Sequence, residues 1–211
     1  MSYRVVEDYY RQQHFDFFRT YEMPFYTITF NLDVTAVAEF AKDRGYSVYL
    51  TQCFLFARGM SRIEDYRYRV VDDRIVLYDH LEIAATLPAP DGAFSFAHFD
   101  HAPDLESFLR GADAVSQRAR REATLDAIAE GNTILFTAIP GVQFTGFTHA
   151  TPADRTDGRA RVAFGRFFED SGRLMVPVGL GVNHIFIDGL ALSRLVEEVQ
   201  TEFDNTRNYE L

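Results

Sequence analysis

An α+β fold built on one large mixed or antiparallel sheet is what the sequence predicts, and three observations carry the prediction. Short aromatic and β-branched runs recur along most of the chain, the pattern of strands. Between and after them lie stretches whose apolar residues repeat at helical spacing. Finally, 20 Phe and 11 Tyr with no Trp supply large apolar area that suits a pleated surface.

Taken in order, Phe25–Leu32 reads as a strand, and Asp33-Val34-Thr35 offers capping side chains for a helix running to Arg44. Gly45 supplies its left-handed stop. A second helix starts near Ser47 and buries Leu50, Phe54, Ala57 and Met60. Tyr68–Val71 and Arg74–Tyr78 flank Asp72-Asp73, a hairpin connection without the favoured glycine. Leu81–Leu87 and Ala93–Phe99 are strands separated by the breaker group at 88–92. The longest helical candidate spans Pro103 to Glu130, with a polar middle at Ser116–Glu122. Thr133–Ile139, Val142–Phe147, Ala160–Phe168 and Arg173–Asn183 complete the strands, and Leu190–Phe203 forms a last helix with Leu192, Leu195, Val196, Val199 and Phe203 on one stripe.

No Pro/Gly/Ser-rich linker or internal repeat interrupts the 211 residues, so residues 1–211 read as a single domain. The net charge of −10 argues against nucleic acid or an anionic membrane as partner. Two local basic patches, Arg118–Arg121 and the set Arg155, Arg159, Arg161 and Arg166, leave room for small anionic ligands. Cys53, the single cysteine, lies in an apolar run and excludes an intrachain disulfide. Neither an N-terminal signal region nor an 18-residue apolar run stands out, so a cytoplasmic location is expected.

The chemistry concentrates in Asn183-His184-Ile185-Phe186-Ile187-Asp188-Gly189, where a polar pair four residues apart brackets apolar core residues. Two readings fit the spacing. Either His184 is a core histidine and Asp188 a helix cap, or a neutral imidazole at a strand end removes a proton from an attacking hydroxyl. A second cluster, His98-Phe99-Asp100-His101, invites a metal reading. Residues three apart on a strand point to opposite faces, so no metal is expected there.

Several segments resemble the chloramphenicol acetyltransferase family, whose signature is His-His-x-x-x-Asp-Gly after an apolar strand. Asn183 stands at its first histidine, His184 at the second and Asp188 at the aspartate. Arg11-Gln12-Gln13-His14-Phe15 is similar to the family's N-terminal arginine segment, and Arg67–Asp79, Thr137–Phe147 and Arg173–Val178 resemble three further family segments in order. The resemblance implies a two-layer sandwich with helices covering the sheet, and an acetyl-CoA-dependent O-acetyltransferase acting on a small hydroxyl acceptor, which includes chloramphenicol. It implies His184 as general base, with Asp188 and Arg11 as supporting ion pair. Phe18, Tyr26 and Gly146 fall at acceptor-pocket positions, and Arg166 and Phe167 at coenzyme A positions. It also implies a homotrimer with sites at subunit interfaces, His184 on one chain facing the Phe18/Tyr26 wall of its neighbour.

Beyond Asn183, two further positions depart from the family. Gly146 replaces a serine associated with the oxyanion, a loss that typically costs about 100- to 1000-fold in rate, and Ala163 replaces a threonine near the site. The stretch between Gly146 and Arg166 is also shorter. A family member that binds ligand but has lost catalysis is therefore the alternative reading.

Overall fold

In the computed structural model, which describes residues 2–89, 92–122 and 131–209, the chain runs β1 (Tyr3–Val5), α1 (Gln12–Phe18), β2 (Phe25–Asp33), α2 (Thr35–Arg44) and α3 (Val48–Ser61). Then come β3 (Tyr68–Val71), β4 (Arg74–Tyr78), β5 (Glu82–Pro88), β6 (Phe94–Phe99) and α4 (Leu105–Glu122). β7 (Thr133–Ala138), β8 (Arg161–Phe164), β9 (Phe168–Asp170), β10 (Arg173–Asn183) and α5 (Gly189–Asp204) complete it.

The large sheet has the order β2-β10-β8-β7-β5-β6, with β9 pairing β10. It is mixed: β5, β7 and β8 are mutually parallel neighbours, and the other pairings are antiparallel. Its apolar face lies under α3 and its neighbours, where Phe56 meets Phe136 and Phe164 edge-on at 5.9 and 6.0 Å. Alternate residues of β10, Val176, Val178, Leu180 and Val182, fill this core. Gly59 lets α3 approach α5 until a Cβ there would stand 3.3 Å from the Val199 backbone. The result is the α+β sandwich expected from the sequence.

Local signals explain the boundaries. The Ser47 hydroxyl accepts from Leu50 N–H at the start of α3, and Gly45 ends α2 at φ 69°. Asp72 and Asp73, both at positive φ, make the primed turn of the β3–β4 hairpin without glycine.

Three expectations are corrected. The β3–β4 hairpin leaves the large sheet and pairs with β1, which the sequence reading missed, in a separate three-stranded sheet. Val142–Phe147 forms no ladder; Phe147 and His149 instead lie over Gly179 and Gly181 on the outer face of β10, whose missing side chains admit them. Ala160–Phe168 divides at Gly165, where a Cβ would collide with Pro177 at 2.6 Å and the Val142 carbonyl at 2.8 Å. The helix starting near Pro103 continues unbroken through Ser116 to Glu122. Its expected end at Glu130, and Pro90 and Asp91 of the breaker group, lie outside the described residues.

Candidate active site

β10 ends at Asn183, and the chain turns through His184–Phe186 into α5. Asn183, 1% exposed, organises the turn. Its Nδ2 donates to the carbonyls of Arg155 and Asp157 at 2.8 and 3.1 Å, and its Oδ1 accepts from Ile185 N–H at 3.0 Å. Where the family signature has a histidine, this amide fastens the 155–157 loop to the turn.

The half-buried His184 imidazole is fixed from several sides. Its Nδ1 lies 2.8 Å from the Ile187 carbonyl. A carbonyl only accepts, so Nδ1 carries the proton and Nε2 presents a lone pair. Phe18 stacks on the ring at 3.8 Å and 19°, and the Tyr26 ring lies 4.9 Å away. The Tyr26 hydroxyl also donates to Ile187 O at 3.2 Å. Burial, reinforced by the Asp188 charge, pushes this phenol up to about 12, so it stays neutral.

Beneath the turn sits an ion-pair cluster. Arg11 Nη2 donates to the Phe186 carbonyl at 2.7 Å, and Nη1 lies 3.2 Å from Asp188 and 3.4 Å from the buried Asp65. Asp188 uses its other oxygen to accept from Ala191 N–H at 2.9 Å, capping α5. Burial opposes its charge, but the Ala191 hydrogen bond and the Arg11 guanidinium outweigh it and hold the carboxyl below its ordinary range. Asp188 thus braces the turn through Arg11, while the Nδ1 proton of His184 goes to a backbone carbonyl.

Arg11, Phe18, Tyr26, His184 and Asp188 therefore come together within one chain. This corrects the division that put the Phe18/Tyr26 wall on a neighbouring chain: both rings pack on the imidazole of their own chain. The sequence reading also gave His14 no role. Its Nε2 donates to the His184 carbonyl at 2.5 Å and its ring meets Phe18 at 4.7 Å. Arg11, His14 and Phe18 follow i, i+3, i+7 spacing, the signal that one helical face serves the site.

The other positions lie elsewhere. Gly146 is exposed on the crossing segment, with nothing within 4 Å of where a Cβ would stand. Ala163 is fully buried in β8, in register with Thr137 and Gly179. Arg166 and Phe167 line a cleft of about 360 Å³ with Tyr49 and Gln52. That cleft shares Tyr49, Ala138 and Pro140 with a larger one of about 890 Å³, into which α4 brings Arg110, Ser116 and Arg120. Gln52 Nε2 and Ser116 Oγ are buried here without hydrogen-bond partners among the described residues. The two sequence patches split: Arg159 and Arg161 pair with Asp157 at 2.8 and 2.6 Å and Arg118 pairs with Glu122, whereas Arg120 and Arg166 face the clefts.

A family model described as chloramphenicol acetyltransferase matches residues 1–200. Chloramphenicol acetyltransferase 3 of Escherichia coli is 23% identical over 200 residues, 92% of this chain and 93% of that protein. The chloramphenicol acetyltransferase of Streptomyces acrimycini is 30% identical over 208 residues, 90% of this chain and 89% of that protein. A solved chloramphenicol acetyltransferase superposes with a TM-score of 0.85 at 25% identity, covering 96% of this chain and 100% of that one. A probable dihydrolipoamide acetyltransferase from Listeria monocytogenes shares the fold, with a TM-score of 0.69 at 14% identity over 99% of this chain and 97% of that one.

Proposed function

Because the chain belongs to the chloramphenicol acetyltransferase family and is an acyltransferase, we propose that His184 is the general base of acetyl transfer from acetyl-CoA to a small alcohol. The observation that carries this reading is the Nδ1 hydrogen bond to Ile187 O, which leaves Nε2 as the proton acceptor. Nε2 takes the proton of the acceptor hydroxyl as its oxygen attacks the thioester carbonyl. The tetrahedral intermediate then collapses, the C–S bond breaks, and the imidazolium returns the proton to the departing thiolate. Phe18, Tyr26 and His14 hold the ring, and the Arg11–Asp188 pair holds the turn that carries it.

The paired clefts suit coenzyme A. Arg120 and Arg166 offer charge to its phosphates, Phe167 an aromatic face, and the Gln52 and Ser116 atoms hydrogen bonds to its amides. The cleft borders Gly165, which bonds Pro177 O, and from Pro177 to His184 the extended strand runs about 23 Å at roughly 3.3 Å per residue. That separation, with Gly146 on an exposed segment, favours a homotrimer in which cleft and imidazole of neighbouring chains face each other. Acceptors of the chloramphenicol type enter against Phe18 and Tyr26. Among the described residues no helix is long and apolar enough to cross a membrane, and we propose a cytoplasmic enzyme.

The second reading, a ligand-binding protein without turnover, is favoured by the open space at Gly146 where the family carries a hydroxyl. A thiol-release assay with acetyl-CoA, chloramphenicol and a panel of small alcohols separates the two. Release with an acceptor supports transfer; coenzyme A binding without release across the panel supports the second reading.

A further inference from the structure

The sheet carries a second concentration of titratable side chains, at its far edge. Three and four steps of the order β10-β8-β7-β5-β6 separate its two strands, β5 and β6, from β10, which leads into His184, about 14 to 19 Å at the usual strand spacing. β5 and β6 pair with Ala84 opposite His98 and Ile83 opposite Phe99. Glu82 therefore shares a face with His98 and Asp100, alternate residues lying on one side of a sheet. Their ligand-capable atoms all lie within 4.8 Å of one another. His98 Nε2 is 2.9 Å from Glu82 Oε2, and His80 Nε2 lies 3.5 Å from Oε1 of the same carboxylate. His101, just past the end of β6, stacks on His80 with ring centroids 4.3 Å apart.

Glu82 is the telling residue. It is a buried carboxylate, and among the described residues its ion-pair partners are the two imidazoles. The nearby Arg58 is committed to Glu202 at 2.7 Å. A carboxylate, an imidazole and a second carboxylate converging from two strands onto one face form a donor set of the kind that coordinates divalent transition metals.

We propose that Glu82, His98 and Asp100 form a binding site for a divalent transition-metal ion of the zinc type. One imidazole and two carboxylates supply the first ligands, and His80 holds Glu82 from its other oxygen. A cavity of about 90 Å³ lined by Glu82, Asp100 and His101 opens beside the cluster and leaves room for water to complete the coordination. The sequence expectation of no metal compared His98 with His101 alone. The folded chain replaces His101 with Glu82, contributed by another strand, which single-segment spacing does not reveal. This site is independent of acetyl transfer.

The test is calorimetric titration of ZnCl2 into the chelator-treated full-length protein, with Co²⁺ absorption as a second readout. Saturable binding of one ion per chain is expected, weakened at least about 10-fold in His98→Gln and in Asp100→Asn. Asp100 is exposed, so Asp100→Asn leaves the fold intact, as circular dichroism would verify. His184→Ala should bind Zn²⁺ as the parent does, which separates this site from the imidazoles near the turn. No saturable binding, or affinity unchanged in both His98→Gln and Asp100→Asn, overturns the proposal.

Discussion

At the scale of single residues, the site is a set of constraints on one tautomer. His184 keeps its Nδ1 proton on a backbone carbonyl, so the lone pair that Nε2 presents is set by geometry without a carboxylate partner. Asp188→Asn isolates the bracing ion pair, because asparagine also caps helices well. We expect it to lower unfolding free energy by about 1–2 kcal/mol in urea titrations and to reduce kcat more than it alters KM. The pH dependence follows from the depressed carboxyl: its stabilising contribution is complete above the ordinary value of 3.8 and fades as pH falls below it. Asp188→Asn should flatten that acid limb in denaturation followed from pH 6 to pH 2. Gly146→Ser adds a hydroxyl where nothing stands within 4 Å. The transition temperature should not move, and kcat should rise at least about 10-fold when the hydroxyl reaches the developing oxyanion. An unchanged kcat in a folded variant would leave that position without a catalytic part.

At the scale of elements, the junction of β10 and α5 depends on what lies over it. Asn183 joins the turn to the loop at 155–157, whose buried Asp157 is held below its ordinary range because Arg159 and Arg161 outweigh the opposing effect of burial. Asn183→Ala removes these bonds and strands buried backbone groups, costing about 3 kcal/mol in urea unfolding. Gly179→Ala places a Cβ 2.8 Å from the Phe147 ring, so the crossing segment must shift while the helix-covered face keeps its packing. Such elements were legible where a local signal decided them: the Gly45 stop, the Ser47 cap and the α5 stripe. The β1 pairing and the unladdered path of Val142–Phe147 were not, because each depends on a distant partner, the β4 edge or the glycines of β10. The same holds for the site. Arg11, His184 and Asp188 were visible through the resemblance to the family's segments, the spacing of His184 and Asp188 alone leaving a core histidine and a helix cap equally open, whereas the service of His14 to the His184 carbonyl and of Asn183 to the loop emerges only when segments far apart in sequence meet.

At the scale of the whole molecule, one layer of helices covers one face of the sheet, and the outer face around Gly179 and Gly181 carries the crossing segment with Gly146 exposed. The proposed trimer makes this face shared ground. Mixing His184→Ala chains with chains disabled in the coenzyme A cleft, for example Gln52→Leu, should restore part of the activity in reassembled hybrids, which homotrimers of either variant lack. The direct measurement of the proposed base is turnover. With acetyl-CoA and an acceptor that the parent protein acetylates, folded His184→Ala should release thiol roughly 100- to 10,000-fold more slowly. Parent-like release by that folded variant would contradict the assignment of His184 as general base.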